Sequence, residues 1–187
     1  MRIVGGTLRG LKLAELGAGD PAAQLRPTTD RVREAIFNLL VNGRQGNPLP
    51  GARVLDLFAG TGALGLEALS RGAAEAMLVD DGAKALDLIR RNIDRTRTGD
   101  RASVLRRDAT RLPPLEGAPF QVVFLDPPYG RGLGERAMAA ALAGGWLAPG
   151  ATVVWEESQP PALLPALTLL DRRRYGDTVV TLARLET

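Results

Sequence analysis

The chain has 187 residues, which is enough for one well-packed domain and short for two. It contains no Cys and no His, which excludes disulfides, the usual zinc sites, Cys nucleophiles and every catalytic triad built on His. The net charge of +3 is mild, so binding to a polyanion would require the arginines to cluster on one face.

Hydropathy gives no sign of a membrane or export segment. There is no apolar run of eighteen residues, and residues 1–6 lack the apolar centre of a signal peptide. We therefore expect a cytoplasmic protein, a monomer that comprises a single domain over residues 1–187 and binds no metal.

The first thirteen residues are basic and contain no acid. Arg2, Arg9 and Lys12 alternate there with short apolar stretches and glycines, a pattern that predicts a small β-hairpin. We expect residues 1–25 to form this hairpin extension and a linker.

A helix is predicted in the segment 26–43. Thr29 or Asp30 can cap its amino end, and it should end near Asn42-Gly43. Its apolar face consists of Val32, Ile36, Leu39 and Leu40. We expect Arg31 and Arg33 to point away from that face.

Strands and helices alternate in the catalytic core expected over residues 51–187. The predicted strands cover 53–58, 76–79, 102–106, the apolar run before Asp126, 151–155, 167–172 and 178–185. The alternation predicts an α/β fold in which a mostly parallel sheet has helices on both faces. The last two strands, joined by a turn at 175–177, should form an antiparallel hairpin, which gives seven strands in total.

A glycine-rich turn follows the first strand of this core. Gly60-x-Gly62-x-x-Gly65 matches the dinucleotide fingerprint in the required context between a strand and a helix, and Asp80 follows at about the expected interval. The glycines permit close approach of a ligand, and Asp80 can accept hydrogen bonds from ribose hydroxyls. The turn therefore indicates a nucleoside-containing cofactor.

Asp56 favours one cofactor over another. It precedes Gly60 by four residues, where the pyrophosphate of a dinucleotide would be repelled by a carboxylate. S-adenosylmethionine instead offers an ammonium group to Asp56 and a carboxylate to the amides of the turn, while the Asp108-Ala109 segment could contact its adenine. An NAD-type oxidoreductase remains the alternative reading of the glycines.

A rigid corner, Asp126-Pro127-Pro128-Tyr129, follows the apolar run 122–125. The prolines have no amide hydrogen and fix their φ angles, so the corner presents acceptors beside an aromatic ring. Such a group suits an exocyclic amine on a nucleobase. Taken alone, the same stretch of residues is also typical of an ordinary loop.

Taken together, these motifs resemble those of a known protein family. The stretch Asp56-Leu57-Phe58-Ala59-Gly60-Thr61-Gly62 with Asp126-Pro127-Pro128-Tyr129 downstream resembles class I S-adenosylmethionine-dependent methyltransferases that act on amino groups of bases. With the blocks 2–6, 26–34 and 62–72, the chain is similar to the RsmD family over nearly its whole length. The resemblance implies a Rossmann-like fold and methylation of the N2 amine of one guanine in bacterial 16S ribosomal RNA, free or in an assembling small subunit.

The expected roles follow from the residues and the resemblance together. Asp126 and the Pro127 carbonyl would hold the amine, and Tyr129 would stack on the base beside Pro128. The candidate contacts to the RNA backbone are Arg2, Arg9, Lys12, Arg26, Arg31 and Arg33. An adenine N6 amine could satisfy the same two acceptors, and an RNA-binding module without catalysis would explain the basic residues alone.

Overall fold

Seven strands form one sheet in the computed structural model, which describes residues 1–15 and 29–186. The order across the sheet is β3-β2-β1-β4-β5-β7-β6. The strands are β1 (Arg53–Leu57), β2 (Glu75–Asp80), β3 (Ala102–Arg106), β4 (Phe120–Leu125), β5 (Leu147–Glu157), β6 (Leu167–Tyr175) and β7 (Thr178–Leu185). Strands β1 to β5 are parallel, and β7 is antiparallel to both β5 and β6. The predicted seven-stranded, mostly parallel sheet with a C-terminal hairpin is confirmed.

Helices cover both faces of this sheet. They are α1 (Asp30–Asn42), α2 (Ala63–Ser70), α3 (Ala83–Thr96) and α4 (Leu133–Ala143). Thr29 caps α1, because its hydroxyl accepts a hydrogen bond from the Val32 N–H at 3.3 Å. None of the helices in the two described ranges is long and apolar enough to cross a membrane.

The two faces of the sheet have separate apolar cores, set by the two-residue period of the strands. Phe124 of β4 packs on the side of α1, α2 and α3, in one core with Leu66, and its ring centroid lies 5.5 Å from that of Phe37. Its neighbour Leu125 packs on the opposite side, under α4. Strand direction and core burial therefore fix which way each residue at the strand ends points.

The sheet has a topological switch point between β1 and β4. From β1 the chain moves outward to β2 and β3, then returns to place β4 on the other side of β1. Parallel strands that diverge in this way leave a crevice at their carboxyl ends, where ligands bind in open α/β sheets. The glycine turn follows β1 and the Asp126 corner follows β4, so both lie at this crevice.

The N-terminal segment, residues 1–15, differs in detail from the predicted hairpin. Its arms run antiparallel, with hydrogen bonds between Ile3 and Leu11 and between Gly10 and Ile3, but they are joined by a 3₁₀ turn at Gly6–Leu8. The segment docks on α2 through Glu67, whose Oε2 accepts a hydrogen bond from the Val4 N–H at 2.8 Å. It therefore packs against the helix that begins at the glycine turn.

Candidate active site

A pocket of about 1020 Å³ opens at the carboxyl edge of the sheet. It brings together most of the residues that the sequence indicated for cofactor and amine. Those that line it are Asp56, Phe58, Ala59, Gly60, Thr61, Asp80, Asp126, Pro127, Pro128 and Tyr129. Gly62 belongs to the same turn but does not line the pocket.

The glycine turn has a left-handed backbone at three positions. Gly60 and Gly62 have φ of 58° and 77°, and Phe58, which is not glycine, has φ of 60°. A bulky residue rarely adopts this conformation, and such strain concentrates at functional sites. The Ala59 N–H donates to the Val79 carbonyl at 3.0 Å, which ties the turn to β2.

Asp56 is a buried carboxylate in the wall of the pocket. Only 1% of its surface is exposed, and its Oδ2 accepts a hydrogen bond from the Gly65 N–H at 2.9 Å. Burial raises the pKa of Asp56 to about 7, although the hydrogen bond from Gly65 opposes the shift. A cationic ligand group beside Asp56 would stabilise the ionised form.

Asp80 holds the turns that follow the neighbouring strands β1 and β2. Its Oδ2 accepts a hydrogen bond from the Gly60 N–H and its Oδ1 one from the Gly82 N–H, each at 2.9 Å. Burial raises the pKa of Asp80, and these two hydrogen bonds oppose the shift. Each carboxylate oxygen has a second lone pair, so Asp80 can also accept ligand hydroxyls.

The expected adenine contact, Asp108-Ala109, does not line the pocket. Asp108 Oδ1 accepts hydrogen bonds from the Thr110 N–H at 2.8 Å and from its hydroxyl at 2.7 Å. The hydroxyl bond holds the pKa of Asp108 below its ordinary value. Ala109 is buried in the core on the α4 side. The segment therefore caps a 3₁₀ turn after β3.

The Asp126 corner is braced by the last strands of the sheet. The Tyr129 hydroxyl donates to Glu156 Oε1 at 2.8 Å and lies 3.2 Å from the Thr178 hydroxyl. The Gly130 N–H donates to Glu157 Oε1 at 3.2 Å. Burial, with the charge of Glu156, raises the pKa of Tyr129, so its hydroxyl stays protonated. The ring is thus held half-buried at the mouth of the pocket.

Four of the candidate RNA contacts are exposed. Arg2, Arg9 and Lys12 project from the N-terminal segment, and Arg31 projects from the first turn of α1. Arg26 lies outside the described residues. Met1, Thr29 and Val32 line the pocket, and Arg2 and Arg31 are their neighbours in the chain.

Arg33 corrects the sequence prediction, because it is fully buried. Its Nη2 donates to Asp30 Oδ1 at 2.7 Å and to the Arg2 carbonyl, and its Nε lies 3.8 Å from Glu67 Oε2. A guanidinium enclosed by carboxylates and a carbonyl cannot reach a phosphate. Arg33 instead joins α1, α2 and the N-terminal segment.

Sequence reasoning missed several residues that line the pocket: Lys84, Arg131, Glu156, Tyr175 and Thr178. Glu156 carried a usable signal, because it directly follows the buried run Val153–Trp155 just as Asp126 follows its strand. Thr178 and Tyr175 carried none, since they reach the pocket only through pairing of the terminal hairpin.

Comparison with known proteins assigns the family. Residues 1–184 match the family described as Conserved hypothetical protein 95. The chain is 42% identical to Ribosomal RNA small subunit methyltransferase D of Escherichia coli strain K12, over 96% of this chain and 86% of that protein. The chain belongs to this family, the RsmD family.

Comparison with solved structures shows that this member of the RsmD family has the class I methyltransferase fold. A putative methyltransferase from Escherichia coli, yhhF, superimposes with a TM-score of 0.81 at 34% identity, covering 100% of this chain and 98% of that one. The N-methyltransferase NodS of Bradyrhizobium japonicum, solved with S-adenosyl-L-homocysteine, has the same fold, with a TM-score of 0.61 at 15% identity over 83% of this chain and 86% of that one.

Proposed function

We propose that this protein transfers a methyl group from S-adenosylmethionine to the exocyclic N2 amine of a guanine in 16S ribosomal RNA. One observation carries the proposal: the glycine turn with Asp56 and the Asp126 corner line the same pocket. Membership in the RsmD family, whose Escherichia coli relative is a ribosomal RNA small subunit methyltransferase, supports the ribosomal substrate.

The pocket residues fit S-adenosylmethionine. Asp56 would hold its ammonium group, the N–H groups at the start of α2 would hold its carboxylate, and Asp80 would hold its ribose hydroxyls. Bound there, the cofactor supplies an electrophilic methyl group on a sulfonium. A dinucleotide fits less well, because its pyrophosphate would face the buried Asp56 carboxylate.

The Asp126 corner would prepare the amine for methylation. The lone pair of guanine N2 is delocalised into the ring, which makes it a poor nucleophile. Asp126 and the Pro127 carbonyl would each accept one amine hydrogen and so direct the nitrogen lone pair toward the methyl group. Asp126 would accept the proton lost after transfer. Tyr129 would stack on the base, a contact that contributes about 1 to 3 kcal/mol.

The wall formed by Met1, Thr29 and Val32 would receive the RNA. The exposed Arg2, Arg9, Lys12 and Arg31 would contact the phosphates of the RNA. The target base would be turned out of its stack to reach the pocket. In this proposal residues 1–187 act as one methyltransferase domain, as a monomer.

The test compares three alanine variants in methyl incorporation on 16S RNA or small subunits and in titration with S-adenosylmethionine. Asp126→Ala should lose transfer by about 100-fold or more while keeping cofactor affinity. Asp56→Ala should weaken cofactor binding. Asp100→Ala, whose side chain is 77% exposed on a loop, should match the wild type. Full activity in Asp126→Ala, or methyl incorporation at a site other than guanine N2, would refute the proposal.

A further inference from the structure

Glu156 lies beside Asp126 on the neighbouring strand. Leu125 of β4 pairs with Trp155 of β5, so the next residue along each strand is a carboxylate. Both carboxylates line the pocket. Glu156 is only 4% exposed, whereas a carboxylate at a strand end is ordinarily solvated.

The Tyr129 hydroxyl holds Glu156 in place. This hydroxyl donates to Glu156 Oε1, and an amide or hydroxyl oxygen could also accept such a bond, although more weakly. A buried carboxylate costs more desolvation than either. Its advantage is that it only accepts hydrogen bonds, through both oxygens, so its place in the pocket suits a ligand edge made of donors.

The Watson–Crick edges of the two candidate bases, guanine and adenine, differ at N1, the ring atom beside the amine-bearing carbon. Guanine presents its N2 amine and N1–H as adjacent donors, whereas adenine presents its N6 amine beside an N1 acceptor. We propose that Glu156 accepts the N1–H of the target guanine while Asp126 holds the N2 amine, so that Glu156 selects guanine. This inference rests on the proposed function, and it assigns a specificity role to a residue next to the amine-holding corner.

The test uses two RNA substrates of one sequence, with guanine or 2-aminopurine at the target position. 2-Aminopurine has the same N2 amine but an N1 acceptor, which would face the Glu156 carboxylate. We expect wild-type kcat/KM to favour guanine by about 10- to 100-fold, the range expected for loss of a hydrogen bond to a charged group. Glu156→Gln should reduce this preference to a few-fold, because its amide can donate to N1 and still accept from Tyr129.

Two further variants separate the outcomes. Glu116→Gln makes the same change on an exposed loop outside the pocket and should leave the preference unchanged. Tyr129→Phe removes only the hydroxyl that holds Glu156 in place, so it should also lower the preference for guanine. An unchanged ratio in Glu156→Gln, or equal wild-type rates on both substrates, would overturn the inference. Failure of the wild type to methylate either RNA would overturn the proposed function instead.

Discussion

The Oδ2 atom of Asp56 accepts a hydrogen bond from the backbone N–H of Gly65 at 2.9 Å. This contact joins the end of β1 to the first turn of α2 and closes the glycine turn between them. It also holds a buried carboxylate at the pocket wall, at the position proposed for the cofactor ammonium group.

Cofactor affinity should depend on pH through Asp56. Its pKa of about 7 means that much of the ligand-free protein carries a proton there below pH 7, and that proton must leave before an ammonium group binds. Affinity for S-adenosylmethionine should therefore rise by about 10- to 30-fold from pH 5.5 to 7.5. Isothermal titration calorimetry across this range measures it. In Asp56→Asn the affinity should be lower at pH 7.5 and nearly independent of pH; the same pH dependence in that variant would contradict the assignment.

Gly65→Ala should disturb the same contact sterically. An added Cβ would lie 2.3 Å from Leu78 Cδ2 and 3.2 Å from Asp56 Oδ2, and Leu78 is fully buried. We expect a loss of about 1 to 3 kcal/mol in the free energy of unfolding, despite the higher helix propensity of alanine, with weaker cofactor binding. Urea denaturation and calorimetry provide the readouts. Gly99→Ala, whose Cβ would lie 3.8 Å from Ile93 Cγ2, is the control and should change neither quantity.

Arg31 and Arg33 lie on the same helix, but their alanine variants should affect different properties. Loss of Arg31 should weaken RNA binding, whereas loss of Arg33 should reduce stability. Arg33→Ala removes the buried partner of Asp30 and Glu67 and should lower the free energy of unfolding by about 3 to 5 kcal/mol. Arg31→Ala should leave stability within about 0.5 kcal/mol, weaken RNA binding and reduce the slope of log affinity against log salt by about one. Thermal denaturation and filter binding at several salt concentrations test both. Normal stability in Arg33→Ala would refute its structural role.

Asn92 should stabilise the pocket through its hydrogen bonds to the backbone. It is fully buried, its Nδ2 donates to the carbonyls of Thr61 at 2.9 Å and Ala14 at 3.0 Å, and its Oδ1 accepts from the Ala14 N–H at 2.6 Å. Asn92→Ala leaves these buried backbone groups without their hydrogen-bond partner. We therefore expect a loss of about 1 to 3 kcal/mol in the free energy of unfolding and reduced cofactor affinity. The exposed Asn38→Ala on α1 is the matched control. Equal stability of the two variants would argue against this bridge.

The sheet was predictable because its physical signals are local and strong. Apolar runs, a glycine turn and acids at strand ends predicted the parallel strands and the carboxyl edge where the pocket lies. The predicted strand 151–155 was shorter than β5 at both ends, and at the carboxyl end Glu156 and Glu157 are polar yet pair with Val180 and Val179 of β7. Pairing with a strand more than twenty residues downstream leaves no trace in the local pattern.

Arg33 shows where a residue type misleads. It shares helical spacing with Ile36, Phe37 and Leu40, all buried, whereas Arg31 does not. The spacing thus marked Arg33 as inward-facing, but its charge suggested solvent. Its carboxylate partner Glu67 lies on another helix, and only the folded chain shows that the two meet.

The docking of residues 1–15 sets an order of assembly. Val4 and Leu8 bond to side chains 63 and 62 residues away, and Ala14 bonds to one 78 residues away. During synthesis this segment leaves the ribosome before α2 and α3, so it has no docking site until those helices have emerged. One wall of the pocket is therefore completed only when a large part of the sheet domain has been made, although the residues that form it are translated before that domain.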